Sequence, residues 1–233
     1  MAQLFSLGSY TFMLTAPSYE DVCSSLHSYM SPSGRRRDVR LVGLVFCQPH
    51  SKFTTDEILP ALRYFHRRSG EHVNFYFAGY YEAWEALAGD VMVVPPAEGP
   101  GWAFSPVAFD KFRQKLQQTT SWRYSGGSDF ILANARFDTN RDSAYLDFSS
   151  ALSITFERLK HDGALADVGI LFERIFSYAE SCDGVDPTWG FSDSEGKSLV
   201  GSSLKNLVVS ILPTPLRQDA KTAFHFVSTD LRR

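Results

Sequence analysis

Three cysteines in 233 residues, Cys23, Cys47 and Cys182, are too few and too widely spaced for a disulfide framework. No C-x-x-C pair and no Cys/His set at zinc spacing occurs, so neither dithiol exchange nor structural zinc is indicated. A sparse, odd count fits a reducing compartment. The first residues, Met-Ala-Gln-Leu-Phe-Ser-Leu-Gly, lack the basic start and long apolar stretch of a secretory signal. No apolar run approaches the roughly 20 residues of a membrane span. The expected location is the cytoplasm, without membrane contact. Positive charge is not in excess either, because the formal net charge is −3. Nucleic acid is therefore not the expected partner. The one basic run, Arg35-Arg36-Arg37, follows Ser-Pro-Ser-Gly and reads as a solvated loop. G-x-S-x-G, the P-loop and the dinucleotide fingerprint are all absent.

What is present is an ordinary globular mixture, 44% hydrophobic and 21% charged, long enough for a full core. Aromatic residues reach 14%, enough to fill a core and still supply a binding surface. The organising stretch runs from Asp38 to His72. Val39 to Cys47 is almost continuously apolar and Val-rich, as in a strand buried on both faces. Thr54 and Glu57 have capping-box spacing, and Ile58, Leu62 and Phe65 make a buried helical stripe. Pro60 removes one amide and kinks that helix. Val73 to Ala78 is the next strand, parallel to the first.

The flanking patterns complete an α/β fold with a central mixed sheet in the order β-α-β-α-β-β-α. Residues 1–37 are an N-terminal extension, with a short strand at Ser9–Leu14 and a helix marked by Tyr19, Val22, Leu26 and Met30. Residues 38–181 are the core, interrupted by an aromatic insertion over 80–106 that holds a short apolar run, Val91 to Val94. Ser105-Pro106 opens a helix lined by Phe109, Phe112 and Leu116. Phe130–Phe137 and Ala144–Phe148 form a hairpin about an Asp138–Asp142 turn. Ser149 or Ser150 is expected to cap a helix reaching His161. Leu165, Val168, Phe172, Ile175 and Ala179 mark another helix. Residues 182–233 are a C-terminal extension packed on the core. It contains a loop over Asp186–Gly196, an apolar stretch Leu199–Leu212 ambiguous between helix and strand, and a final strand near Phe224–Val227.

From Val39 to about His161 this order of elements resembles the thioredoxin-like fold, in topology only. The resemblance implies a catalytic C-x-x-C after the first strand and a proline just ahead of the third. Here those places read Cys47-Gln48-Pro49-His50 and Ser125-Gly126-Gly127-Ser128, so the second cysteine and the proline are both missing.

Three places carry candidate chemistry. Cys47 lies where a strand ends and a helix is about to begin, a favoured edge for ligands in open α/β sheets. It would act as a nucleophile or single-thiol redox centre, with His50 as base. Trp122, Arg123, Tyr124, Ser125, Gly126, Gly127 and Ser128 form a glycine-rich turn. Its amides suit a phosphate-bearing small ligand and its rings suit stacking. Tyr80, Tyr81, Trp84 and Trp102 crowd the insertion and suit a protein partner or a second copy of the chain. Asp129, Asp138, Asp142 and Asp147 are scattered over the hairpin, where strand alternation separates close neighbours, so no metal site is assigned. The leading expectation is a binding or adaptor protein using the aromatic insertion. A Cys47 enzyme and a phosphate-ligand sensor are the alternatives.

Overall fold

A computed structural model of the chain describes residues 15–16, 18–30, 39–69, 72–82, 92–94, 102–182, 185–200 and 225–233. The strand expected at Ser9–Leu14, the ring of Trp84, the run Arg35–Arg37 and the stretch 201–212 lie outside them. β1 is Thr15–Ala16, α1 Tyr19–Met30, β2 Val39–Phe46, α2 Leu62–Arg68 and β3 Val73–Ala78. β4 (Tyr80–Glu82), β5 (Met92–Val94) and β6 (Trp102–Phe104) come from the insertion, and α3 spans Pro106–Thr119. β7 is Asp129–Asp138, β8 Ser143–Thr155, α4 Phe156–His161, α5 Val168–Ser181 and α6 Pro187–Val200.

The central sheet is mixed, in the order β1-β3-β2-β7-β8. β2 and β3 run parallel in register Gly43↔Phe75 and Leu44↔Tyr76, joined by the helical segment between them, as the apolar runs predict. β7 is antiparallel to β2 and to β8. The near-continuous apolar strands are explained by cover on both faces. Phe75 and Phe130 meet Phe172 of α5 on one face. Phe46 meets Phe109 and Phe112 of α3 on the other. Tyr76, next to Phe75, hydrogen-bonds Ser25 of α1. Ser105 caps α3 through the Ala108 amide at 3.1 Å, with Pro106 in the first turn.

Several local expectations are corrected. Thr54 does not cap a helix: the chain is already helical at Phe53, and Thr54 opens a wide π turn, Thr54–Ile58. A 3₁₀ turn, Leu59–Ala61, follows around Pro60 before α2 begins. The break in regular bonding matches proline's missing amide. Thr54 is buried instead, its hydroxyl 3.1 Å from that of Ser128. Ser149 and Ser150 do not cap a helix either, because β8 continues to Thr155, paired with Asp129–Leu132 beyond an irregularity near Leu132/Asn134. The short α4 starts only at Phe156.

The loop expected at Asp186–Gly196 is helical. Asp186 accepts the Trp189 amide at 3.0 Å, ahead of α6. Buried Asn134 of β7 accepts from the Thr188 amide at 3.1 Å and hydroxyl at 2.8 Å. These tertiary anchors override two glycines and a Ser/Asp-rich composition that disfavour a helix. Of the final strand expected near Phe224–Val227, Phe224 lies outside the described residues and His225–Phe226 form a turn, followed among the described residues by the single bridges Thr229↔Ala151 and Arg232↔Thr120.

Candidate functional site

β2 delivers Cys47 to the end of the sheet, beside the start of β7 and the π turn at Thr54. The fold thereby unites three stretches far apart in sequence: Cys47 with Thr54, Tyr80, and the loop Tyr124–Asp129. Gly79, at φ +79°, turns the chain from β3 into β4 and swings Tyr80 back over the strand end. A Cβ there would lie 2.8 Å from that of Phe109.

Cys47 is fully buried. Its sulfur donates to the Tyr80 hydroxyl at 3.8 Å. Burial pushes its thiol up to about 12, and contacts from Tyr80 and Thr54 only partly oppose this. That is the reverse of the shift an attacking thiol needs. Tyr80 is buried against Phe104, ring centroids 4.9 Å apart, and burial together with Cys47 raises its phenol. His50 is exposed on the Pro49–His50 turn, and the groups acting on the thiol are Tyr80, Thr54 and Glu157.

The glycine-rich loop is tied down by two carboxylates. Asp129 accepts the Ser125 amide at 2.8 Å, the Ser125 hydroxyl at 2.5 Å and the Thr155 hydroxyl at 2.9 Å. Burial raises the Asp129 carboxyl despite these donors. Both oxygens of Glu157 accept the Ser128 amide at 2.9 Å. The Gly127 amide donates to Ser125 Oγ at 3.1 Å, and the Gly127 carbonyl accepts from Tyr124 Oη at 2.7 Å. Gly126, at φ +90°, makes the turn and projects into open space. A Cβ at Gly127 would lie 3.0 Å from the Glu157 carboxylate. Three of the loop's amides, those of Ser125, Gly127 and Ser128, therefore already have acceptors, and negative charge stands behind them. A phosphate would meet repulsion here.

The loop's larger side chains are structural. Trp122 is buried with its ring centroid 4.7 Å from Phe46. Arg123 turns back to satisfy carbonyls at the end of α3, those of Gln117 and Thr120 at 3.2 Å and Trp122 at 2.6 Å. Tyr124 is half-buried, with Arg113 5.9 Å from its ring centroid. In the insertion, β4, β6 and β5 form a small antiparallel sheet. Tyr80 and Trp102 belong to the core, so these two of the four rings are used in packing, while Tyr81 is partly covered and Trp84 lies outside the described residues.

Sequence reading singled out Cys47 and the glycine loop separately but not Thr54 or Glu157 as members of the site. Glu157, one residue into α4, is a first-turn acid whose target amide lies 29 positions upstream. Among the described residues no group of three or more metal-ligating side chains could hold an ion. Nor is any described helix long and apolar enough to cross a membrane. No protein-family model matches the chain, and comparisons with curated proteins and with solved structures found no match.

Proposed function

We propose that this chain is a non-catalytic binding protein that holds a protein partner, built on a thioredoxin-like strand order without dithiol chemistry. The parallel β2/β3 pair, with β7 and β8 antiparallel beyond it, supports the likeness in topology. The observation that carries the functional reading is that the reactive groups at the strand end are committed to one another. An enzyme built on Cys47 needs an accessible thiolate, and burial of Cys47 weighs against it. A phosphate sensor needs open amides, and Asp129 and Glu157 occupy those of Ser125 and Ser128. Because Tyr80 and Trp102 lie in the core, the partner surface lies away from these two rings. Cys23, Cys47 and Cys182 form no disulfide, which supports a reducing compartment such as the cytoplasm.

The test is native-state alkylation with iodoacetamide, read by mass spectrometry, beside a thermal-shift series with nucleotides and inorganic phosphate. A thiol near 12 is ionised to about one part in 10⁴ at pH 8. Cys47 is expected to label only on unfolding, well after half-buried Cys23, and no phosphate compound should raise Tm. Cys47 labelling as fast as Cys23, or a nucleotide raising Tm by several degrees, refutes the proposal.

A further inference from the structure

We infer that the C-terminal segment His225–Arg233 is an autoinhibitory strap. It fills, within its own molecule, a site for extended backbone on the bulged middle of β8. A partner's extended segment with two apolar anchors spaced as Phe226 and Leu231 are takes the same place. This rests on the protein-binding reading and adds a control to it. β8 is the outer strand of the central sheet. Its pairing with β7 reaches Leu132↔Leu152 and resumes at Asn134↔Asp147, so Ala133 alone faces residues 148–151. Extra residues in a bulge lack ladder partners on that side. The strap supplies partners from the other side.

The Ala151 amide donates to the Thr229 carbonyl at 2.9 Å, and the Thr229 amide to the Ala151 carbonyl at 2.7 Å. The Leu231 amide donates to the Phe148 carbonyl at 2.9 Å, and the Ser121 amide to the Leu231 carbonyl at 2.7 Å. Ser192 of α6 grips the start of the strap. Its hydroxyl donates to the Phe226 carbonyl and accepts from the Ser228 amide at 2.8 Å. From Phe226 to Leu231, then, the grip is on main chain, which carries no sequence information. Selection falls to the two buried anchors, Phe226 and Leu231, 3% and 9% exposed. Strand addition divides its work in this way, with affinity from backbone pairing and specificity from side-chain pockets.

The strap is built to lift. Val227 is half exposed, and Thr229, Asp230, Arg232 and Arg233 are exposed. It joins its neighbours through two isolated bridges, Ala151↔Thr229 and Thr120↔Arg232, rather than a ladder. Segments with few buried contacts open locally, ahead of the core. The closed arrangement also leaves the Ser150 hydroxyl, beside the first bridge, buried without a hydrogen-bond partner, which is unfavourable. A tethered strap outcompetes a free ligand through its high effective concentration, so the site is closed by default.

The test uses the full chain, amide hydrogen exchange followed by NMR, and a fluorescein-labelled peptide with the sequence of residues 225–233. In the parent, the Ala151, Thr229 and Leu231 amides should exchange at least ~100-fold faster than those of Leu44 and Leu132 at the centre of the sheet. Leu231→Asp sets a carboxylate where the anchor is buried and should release the strap while Leu44 and Leu132 stay protected. That variant should bind the peptide at least ~10-fold more tightly than the parent does. N-methylation of the peptide amides that stand for Thr229 and Leu231 should abolish binding. Should Leu231→Asp fail to fold, Ser192→Ala takes its place by removing the grip on Phe226 and Ser228, and the exchange rates of the parent decide by themselves whether the strap opens. Strap amides as slow as those of Leu44 and Leu132 overturn the inference. So does equal peptide binding by the parent and the released variant, or equal binding of the N-methylated peptide. If the strap proves immovable while Cys47 stays protected from alkylation, the binding reading stands and the autoinhibition alone falls.

Discussion

Replacing Gly43 with alanine should destabilise the protein although alanine is the better strand residue. Gly43 lies in the middle of β2, opposite Phe75 on β3 and Leu132 on β7. Its missing side chain lets Phe75 and Phe130 stack across the strand, centroids 6.0 Å apart and planes 16° from parallel. A Cβ there would lie 2.7 Å from Phe75 Cδ1 and 2.8 Å from Phe130 Cε2. Ordinary contact begins at 3.4 Å, so the rings must yield by 3.4 − 2.7 = 0.7 Å on the Phe75 side. They have little room, since Phe172 sits 4.6 Å from Phe75 and 5.5 Å from Phe130, centroid to centroid. Overpacking of this kind costs about 1–3 kcal/mol. Removing a glycine from a strand returns about 0.5–1 kcal/mol of chain entropy. At the middle of these two ranges the net loss is about 1 kcal/mol, a fall in Tm of roughly 2–4 °C for a chain of this size. Urea denaturation followed by circular dichroism reads it directly, with the slope m unchanged. Adding Phe130→Leu should recover part of the loss, giving a double variant more stable than the sum of the two singles. Gly126→Ala is the contrast: nothing lies within 4 Å, and its cost of about 1 kcal/mol comes from φ +90° alone. A Gly43→Ala protein as stable as the parent would refute the close stacking of the two rings.

Asn134→Ala should cost about 2–4 kcal/mol, because it orphans the buried Thr188 amide and hydroxyl and removes the 2.7 Å bond to Asp186. Limited proteolysis should then cut within α6 before it cuts elsewhere, and an unchanged digestion pattern counts against this anchor. Asp147 is held below the usual carboxylate range: burial would raise it, but the Ser149 hydrogen bonds and the 2.5 Å ion pair with Arg136 outweigh burial. A group depressed in the folded state stabilises above its unfolded value of about 3.9 and loses that contribution as pH falls through the folded value. Asp147→Asn should therefore be less stable than the parent at pH 7, with the gap closing as pH falls below about 4. Denaturant midpoints at pH 7, 5 and 3 check this, and a gap that widens in acid contradicts it.

Amino-acid order alone determined the parallel pair at the centre, the helices α1, α3 and α5, and the hairpin. In these segments the hydrophobic period and the local signals agree: Val39–Phe46 is apolar because it is covered on both sides, and Ser105-Pro106 caps the helix it precedes. Cys47 and the 125–128 loop were likewise legible as places worth attention, since each sits at an end of a recognisable strand.

Tertiary structure alone decided what those places are. Whether Cys47 is reactive depends on Tyr80, Thr54 and Glu157, which reach it only when β3, the π turn and α4 converge on one end of the sheet. Whether the glycine loop can hold an anion depends on Asp129 and Glu157 having claimed its amides first. The same reason explains the local errors. Ser149–Thr155 has serines that could cap a helix, but pairing with β7 draws it into the sheet, and Pro187–Glu195 becomes helical because Asn134, 54 residues away from Thr188, fixes its first turn. Local propensities differ by tenths of a kcal/mol per residue, whereas a buried polar group left unpaired costs one to a few. Where the two conflict, long-range contacts prevail, and they become visible only once the chain is folded.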